Sequence, residues 1–100
     1  MTHEFDAPLW QWEARRTDSW TFVSLPTDAA DKILDVAGPI ARGFGSLRVD
    51  VTIGRTAWRT SIFPDSKVGT YVLPIKRAVR TAEGLQTGDV ARVRITLVDL

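Results

Sequence analysis

One local pattern occurs twice in the sequence and constrains the fold more than any other feature: a strand-like stretch, the dipeptide Leu-Pro, a short amphipathic helix, a glycine and a second strand. The first copy turns at Leu25-Pro26 and the second at Leu73-Pro74. Proline fixes φ near the helical value, and its missing N–H falls where a helix needs no intrahelical partner. We therefore expect two halves related by a pseudo-twofold axis, each closing one end of a small barrel. The alternative is chance similarity between two short β-α-β pieces.

Apolar periodicity predicts the elements of the first half of the chain. A strand is expected over residues 3–13, with Pro8 at an edge position or a bulge, and a second strand over 20–25. Thr27 is the candidate N-cap of a short helix in which apolar residues recur at helical spacing. Gly38-Pro39 is expected to end that helix.

The second half of the chain predicts a β-hairpin followed by a strand, a helix and a last strand. The hairpin is expected around Gly54-Arg55, because apolar and polar residues alternate on both sides of this dipeptide. Gly84 is a natural C′ residue for the second helix. The expected elements are strands at 47–53, 57–63 and 69–73, a helix over 75–82 and a strand at 90–98.

Length and composition indicate a globular protein with a single domain over residues 1–100, and the repeat predicts that this domain is a barrel. The chain has 100 residues, of which 44% are apolar, and a net charge of +1. It has no cysteine, which excludes disulfide scaffolds and thiolate metal sites. No apolar run is long enough to span a membrane, and the first residues do not look like a secretory signal, so the expected setting is the cytoplasm.

Charge is distributed unevenly along the chain. Residues 1–37 contain 3 basic and 7 acidic side chains, whereas residues 38–100 contain 10 basic and 5 acidic ones. Such an asymmetry can mark a surface for nucleic acid or phosphate. The alternative is a folded sheet that mixes both signs on its solvent face.

Few residues are suited to catalysis. The only histidine is His3, close to the start of the sequence, and no metal-ligating or nucleotide-binding motif occurs. A carboxylate enzyme using Asp65 and Asp89 is the least favoured hypothesis, because each residue suits a turn in which it bonds its own backbone. We therefore predict a non-catalytic binding or interaction module with no cofactor and no metal.

The clearest candidate for a binding site is a pair of cations on the second predicted helix. Lys76 and Arg80 are four residues apart and project side by side, near the positive end of that helix. With Trp58, Tyr71 and Arg59 as neighbours, they predict a site for an anionic small molecule or a protein partner. Two alternatives stay open. The tryptophans can instead fill the core. The cations can instead pair with nearby acidic residues, namely Asp65, Glu83 or Asp89.

A set of residues spread over the chain resembles a known family. They are Trp20 with Phe22, Leu25-Pro26, Trp58, Ser61 to Phe63-Pro64, Tyr71 to Pro74, Lys76, Val79-Arg80 and Gly88-Asp89-Val90. The family is domain of unknown function 1905, a group of small, mostly bacterial proteins. The resemblance implies a mainly β fold: a closed six-stranded double-split barrel with two short helices, related in architecture to AbrB-like and MazE-like proteins. An α+β ferredoxin-like fold is the alternative.

The likeness to AbrB-type regulators implies an alternative function, nucleic-acid binding. The candidate phosphate contacts are Arg48, Arg77, Arg92 and Arg94. Neutralising phosphates supplies most non-specific affinity for nucleic acid. A net charge of only +1 argues against this alternative, because dedicated binders are usually markedly basic. The activity of the family itself is not established, so the resemblance implies no chemistry.

Overall fold

The computed structural model describes residues 1–13, 19–37 and 45–98, and this part of the chain is mainly β. The predicted helix end at Gly38-Pro39 lies outside these residues. Among the helices described, none is long and apolar enough to cross a membrane.

Seven strands and two helices make up the described residues, and most of them lie where the sequence predicts. In chain order they are β1 (Thr2–Pro8), β2 (Trp10–Glu13), β3 (Ser19–Ser24), α1 (Thr27–Ala37), β4 (Leu47–Ile53), β5 (Thr56–Asp65), β6 (Thr70–Pro74), α2 (Arg77–Glu83) and β7 (Val90–Leu97). The main difference lies in the first predicted strand, which is divided into two strands at Leu9.

The strands form one antiparallel sheet in the order β1-β7-β4-β5-β6-β3-β2, which curls into a half-barrel. The predicted closed six-stranded barrel is therefore wrong. Pro8 has no N–H to donate and ends β1, and after Leu9 the chain continues as β2 against a different partner, β3. The two edge strands consequently follow each other along the chain instead of pairing side by side. The ferredoxin-like alternative is also wrong, because its β-α-β-β-α-β order is not observed.

Each strand that flanks a helix pairs with its counterpart from the other copy of the repeat. β3 pairs with β6 through Phe22–Ser24, and β4 pairs with β7 through Val49–Ile53. β5 pairs first with β4 and then with β6, just as β1 and β2 pair in turn with β7 and β3. These pairings have the pattern expected of two related halves.

The first Leu-Pro dipeptide lies at the end of β3, directly before α1. Leu25 is buried in the core. The backbone N–H of Ala30 donates to the carbonyl of Pro26 at 3.0 Å, which is the first bond of the helix. Pro26 therefore occupies the N-cap position, and the predicted N-cap at Thr27 is one residue late.

The second Leu-Pro dipeptide ends β6, and α2 begins three residues later. Leu73 is buried, and the backbone N–H of Ile75 still follows the sheet, donating to the carbonyl of Thr21 at 2.8 Å. Lys76 is the N-cap of α2. Gly84 is its C-cap with a φ of 65°, a left-handed conformation that confirms the predicted end of the helix.

Aliphatic side chains, not tryptophans, fill the interior. Alternate residues of the central strands β4 and β7 are buried, as the sequence pattern predicts; they are Val49, Val51, Ile53, Val93, Ile95 and Leu97. By contrast, Trp12 and Trp20 are exposed, and Trp10 and Trp58 are half-buried. The alternative in which the tryptophans fill the core is therefore wrong for Trp12 and Trp20, whereas Trp58 packs against the core from its edge.

Candidate functional site

A cleft opens where β6 gives way to α2. β6 lies between β5 and β3, but it pairs with them only through Phe63–Asp65 and Phe22–Ser24. The chain leaves the sheet after Pro74, and the earlier parts of β3 and β5 then flank the start of α2. The cleft has a volume of about 260 Å³ and is lined by Trp20, Thr21, Trp58, Arg59, Thr60, Pro74, Ile75, Lys76 and Arg80.

Two cations border this cleft: Lys76, the N-cap of α2, and Arg80, in the middle of that helix. Lys76 is exposed and Arg80 is half-buried. The Nε of Arg80 donates to the carbonyl of Ile75 at 3.2 Å, which fixes the guanidinium against the cleft wall. Among the residues that the structure describes, neither cation is in an ion pair. Because α2 has only 7 residues, the helix dipole expected from the sequence contributes little here.

Arg59 also reaches the cleft, but its guanidinium is engaged on the outer face of the sheet. It faces Asp50 across the β4–β5 ladder, and its Nε and Nη2 donate to the two carboxylate oxygens at 2.8 and 3.3 Å. This donation holds the pKa of the Asp50 carboxyl below its usual value. We therefore do not assign Arg59 to the anion site.

Aromatic side chains form the apolar wall of the cleft. Trp20 on β3 is 55% exposed, whereas Trp58 on β5 packs against the core. Trp20 stacks on Phe22 with ring centroids 6.3 Å apart, and Phe22 contacts Trp10 at 5.1 Å. The Nε1 of Trp10 donates to the hydroxyl of Ser24 at 2.9 Å. Phe22 thus packs on one side of the Trp20 ring, and more than half of the Trp20 side chain stays accessible to solvent.

The acidic residues that were the alternative partners of the cations are engaged elsewhere. Asp65 accepts two backbone N–H groups of its own turn, at 2.9 and 3.2 Å, and Asp89 accepts that of Gln86 at 2.8 Å. Glu83 accepts the hydroxyl of Thr56 at 2.7 Å. No carboxylate of a described residue lines the cleft. Within the same residues, no group of His, Cys, Asp or Glu is placed to hold a metal ion.

Tyr71 lies away from the cleft, unlike the four other residues predicted with it. It occupies the end of β6 opposite to Pro74, where its side chain is buried. There it borders a second cavity of about 270 Å³ between α1 and the β5–β6 turn. Burial raises the pKa of its phenol. The predicted place of Tyr71 in the binding site is thus corrected to a place in the core.

A family match covers the whole of this cleft. Residues 5–95 match the family described as Domain of unknown function (DUF1905). The chain belongs to the DUF1905 family. The matched range includes both helices and every residue that lines the cleft. No curated protein matches the chain. Membership in DUF1905 assigns no activity, so a functional proposal depends on the geometry of the site.

In this DUF1905 chain the arginines of the nucleic-acid hypothesis lie outside the cleft. Arg92 and Arg94 on β7 both contact Glu4 on β1, at 3.3 and 3.7 Å. Arg48 is exposed on β4 in the same sheet. Arg77 lies on α2 and borders another cavity, of about 290 Å³. The outer face of the sheet therefore mixes both signs of charge.

Several residues that line the DUF1905 cleft were not among the predicted site residues: Trp20, Thr21, Thr60, Pro74 and Ile75. Pro74 and Ile75 mark a turn and a helix start in the sequence, and nothing local indicates that they face a cavity. Only the register of β3 against β6 brings Thr21 to Ile75. The repeated Leu-Pro dipeptide was the available signal, because it marks β3 and β6 as equivalent strands of the two halves.

Proposed function

We propose that the protein is a non-catalytic binding module that holds a small anionic group in the cleft between β3, β5 and α2. The observation that carries the proposal is the shared position of Lys76 and Arg80 in a cleft that no carboxylate of the described residues lines. Neighbouring cations repel each other, and a bound anion offsets this repulsion because it is attracted to both of them. The anion can belong to a free small molecule or to a carboxylate of a protein partner.

Arg80 is the more rigid of the two cations. Since the Nε of Arg80 donates a hydrogen bond to the carbonyl of Ile75, the orientation of the guanidinium is fixed before a ligand binds. The planar guanidinium suits two-point binding of a carboxylate or phosphate, and Lys76 adds a point charge on a flexible stem. Both side chains are partly solvated, so we expect binding to weaken as salt is added.

Nucleic-acid binding is the second function proposed, together with a distant architectural relationship to AbrB-like proteins. Its support is the order of Leu73-Pro74, a short helix and Gly88-Asp89 before the last strand, which resembles the AbrB-like half-barrel. The ion pairs of Arg92 and Arg94 with Glu4 weaken it, because phosphates would have to compete with that carboxylate. We therefore favour the anion-binding module.

A titration with inorganic phosphate tests the proposed function. The ¹⁵N-labelled protein is followed by NMR, and we expect shifts in the indole signals of Trp20 and Trp58. In Lys76→Gln and in Arg80→Gln we expect binding to weaken about tenfold, because each change removes a charged hydrogen-bond donor. Lys76→Gln is the cleaner variant, since Arg80 also bonds the backbone of Ile75.

Lys67→Gln is the matched control for charge. Lys67 is an exposed lysine in the β5–β6 turn and does not line the cleft. The Lys67 variant should therefore bind phosphate as the unchanged protein does. If Lys76→Gln and Arg80→Gln bind phosphate no more weakly than Lys67→Gln, the cleft does not hold the anion and the proposed function is wrong.

A further inference from the structure

Trp20 is exposed at the cleft although the fold gains by burying such a side chain. It is 55% exposed, and aromatic burial is among the largest favourable contributions to stability. Trp12 is its direct cross-strand partner and is 51% exposed, but it does not line the cleft. Of these two exposed tryptophans, Trp20 is thus the one placed beside Lys76 and Arg80.

The lining of the cleft is amphipathic. Trp20 and Trp58 come from strands on its two sides, whereas the cations without an ion pair among the described residues, Lys76 and Arg80, come from α2 and its N-cap. A simple inorganic anion would meet the two cations but would leave the aromatic surface in water. A ligand that satisfies the whole lining needs an apolar, flat part joined to an anionic part.

We propose that the ligand of this cleft is a planar ring that carries an anionic group, with the ring stacked on Trp20 and the anion at Lys76 and Arg80. This inference rests on the proposed function and specifies its ligand class. The cleft of about 260 Å³ lies below the range of about 300–1,000 Å³ typical of sites for drug-sized molecules, so it suits a single small ring system. Aromatic acids and nucleotides share this chemistry.

The experiment compares four probes by the same NMR titration: inorganic phosphate, phenyl phosphate, adenosine monophosphate and benzyl alcohol. We expect phenyl phosphate to bind about tenfold more tightly than inorganic phosphate, because stacking on an aromatic side chain adds to the charge interaction. Benzyl alcohol, which has the ring without the charge, should bind most weakly. The order of phenyl phosphate and adenosine monophosphate distinguishes a simple aromatic acid from a nucleotide, and either order supports the shared chemistry.

Trp20→Leu tests which side chain provides the stacking, and Trp12→Leu is its matched control. Both positions are exposed, so both variants should fold, which thermal unfolding verifies. Trp20→Leu should bind phenyl phosphate no more tightly than inorganic phosphate. Trp12→Leu should still bind phenyl phosphate more tightly.

Two negative outcomes can be told apart. Equal affinity for phenyl phosphate and inorganic phosphate, or an unchanged advantage in Trp20→Leu, overturns the ring inference while leaving the anion site in place. If instead Lys76→Gln binds both inorganic phosphate and phenyl phosphate as tightly as the unchanged protein does, the proposed function is wrong. The ring inference is then wrong as well.

Discussion

The turns at Leu25-Pro26 and Leu73-Pro74 share a backbone device but differ in the side chains they expose. At each turn a strand ends, a buried leucine enters the core and a helix begins shortly after the proline. Because β3 and β6 pair antiparallel, the two turns lie at opposite ends of that pair. We refer to them as the first turn and the second turn.

Charge distinguishes the first turn from the second. Two positions after the proline, the first turn has Asp28 and the second has Lys76; six positions after it, they have Lys32 and Arg80. The first turn thus carries both signs of charge and the second only positive charge. The two leucines are buried, whereas the charged positions are exposed or half-buried, where substitutions usually change stability little. This separation explains how one half of a repeat can form a cleft bordered by cations without changing the fold.

The largest loss of stability is expected at the buried leucine that the two turns share. Leu25→Ala and Leu73→Ala should each destabilise the protein by about 3 kcal/mol, because each leaves a cavity in the core. Urea-induced unfolding measures both losses. Leu34→Ala is the control: this leucine lies on α1 and is exposed, so its loss should be below about 0.5 kcal/mol. A loss below about 1 kcal/mol at either buried leucine would break the structural equivalence of the turns.

The helix that follows the second turn, α2, also contacts the β4–β5 hairpin. Glu83, the last residue of α2, accepts the hydroxyl of Thr56 at 2.7 Å. Gly54 has a φ of 58°, and a Cβ at this position would collide with the Glu83 carboxylate. We therefore expect Gly54→Ala to cost about 2 kcal/mol, from left-handed backbone strain and displacement of that carboxylate.

Gly69→Ala is the control for the Gly54 prediction, again by urea unfolding. Gly69 has a φ of 81°, and a Cβ there would meet nothing within 4 Å. Gly69→Ala therefore measures the backbone strain alone, and it should lower the free energy of unfolding by less than Gly54→Ala does. Equal losses at the two glycines would show that the contact between α2 and the hairpin contributes nothing.

Local patterns allowed most elements of the fold to be predicted, but not how the sheet is arranged. Alternation over Leu47–Ile53 is a local signal, and the strand lies there. Pro8 was predicted at an edge or a bulge, and β1 does end at it. What no local signal contains is the choice of partners: the segments on either side of Leu9 pair with strands from distant parts of the chain.

The candidate site shows the same division between local and distant information. Helical spacing predicted that Lys76 and Arg80 lie together, and they do. Tyr71 was misplaced, because the sequence does not indicate which end of β6 borders the cleft. The pairing of Arg59 with Asp50 depends on the register of the β4–β5 hairpin, which alternation alone leaves open.

The smallest expected change in stability is a pH dependence caused by a histidine beside the first turn. His3 on β1 has a buried Nε2 without a hydrogen-bond partner among the described residues. Burial lowers the pKa of His3 below the usual 6.5, the charges of Lys32 and the terminal amine lower it further, and Asp28 opposes them. The second turn has no titratable histidine, because His3 is the only one in the chain.

The sign of the pH dependence follows from this shift. Because the folded state disfavours the charged imidazole, the unfolded chain binds the proton at higher pH than the folded one, so stability falls as the pH drops below 6.5. Urea unfolding at about pH 7.5 and about pH 5.5 should therefore show a small loss that His3→Gln reduces. Trp58→Phe, a change beside the second turn, should show the same decrease in unfolding free energy between the two pH values as the unchanged protein. If His3→Gln also shows an undiminished decrease, the histidine is not desolvated, and the turns differ in charge but not in their response to pH.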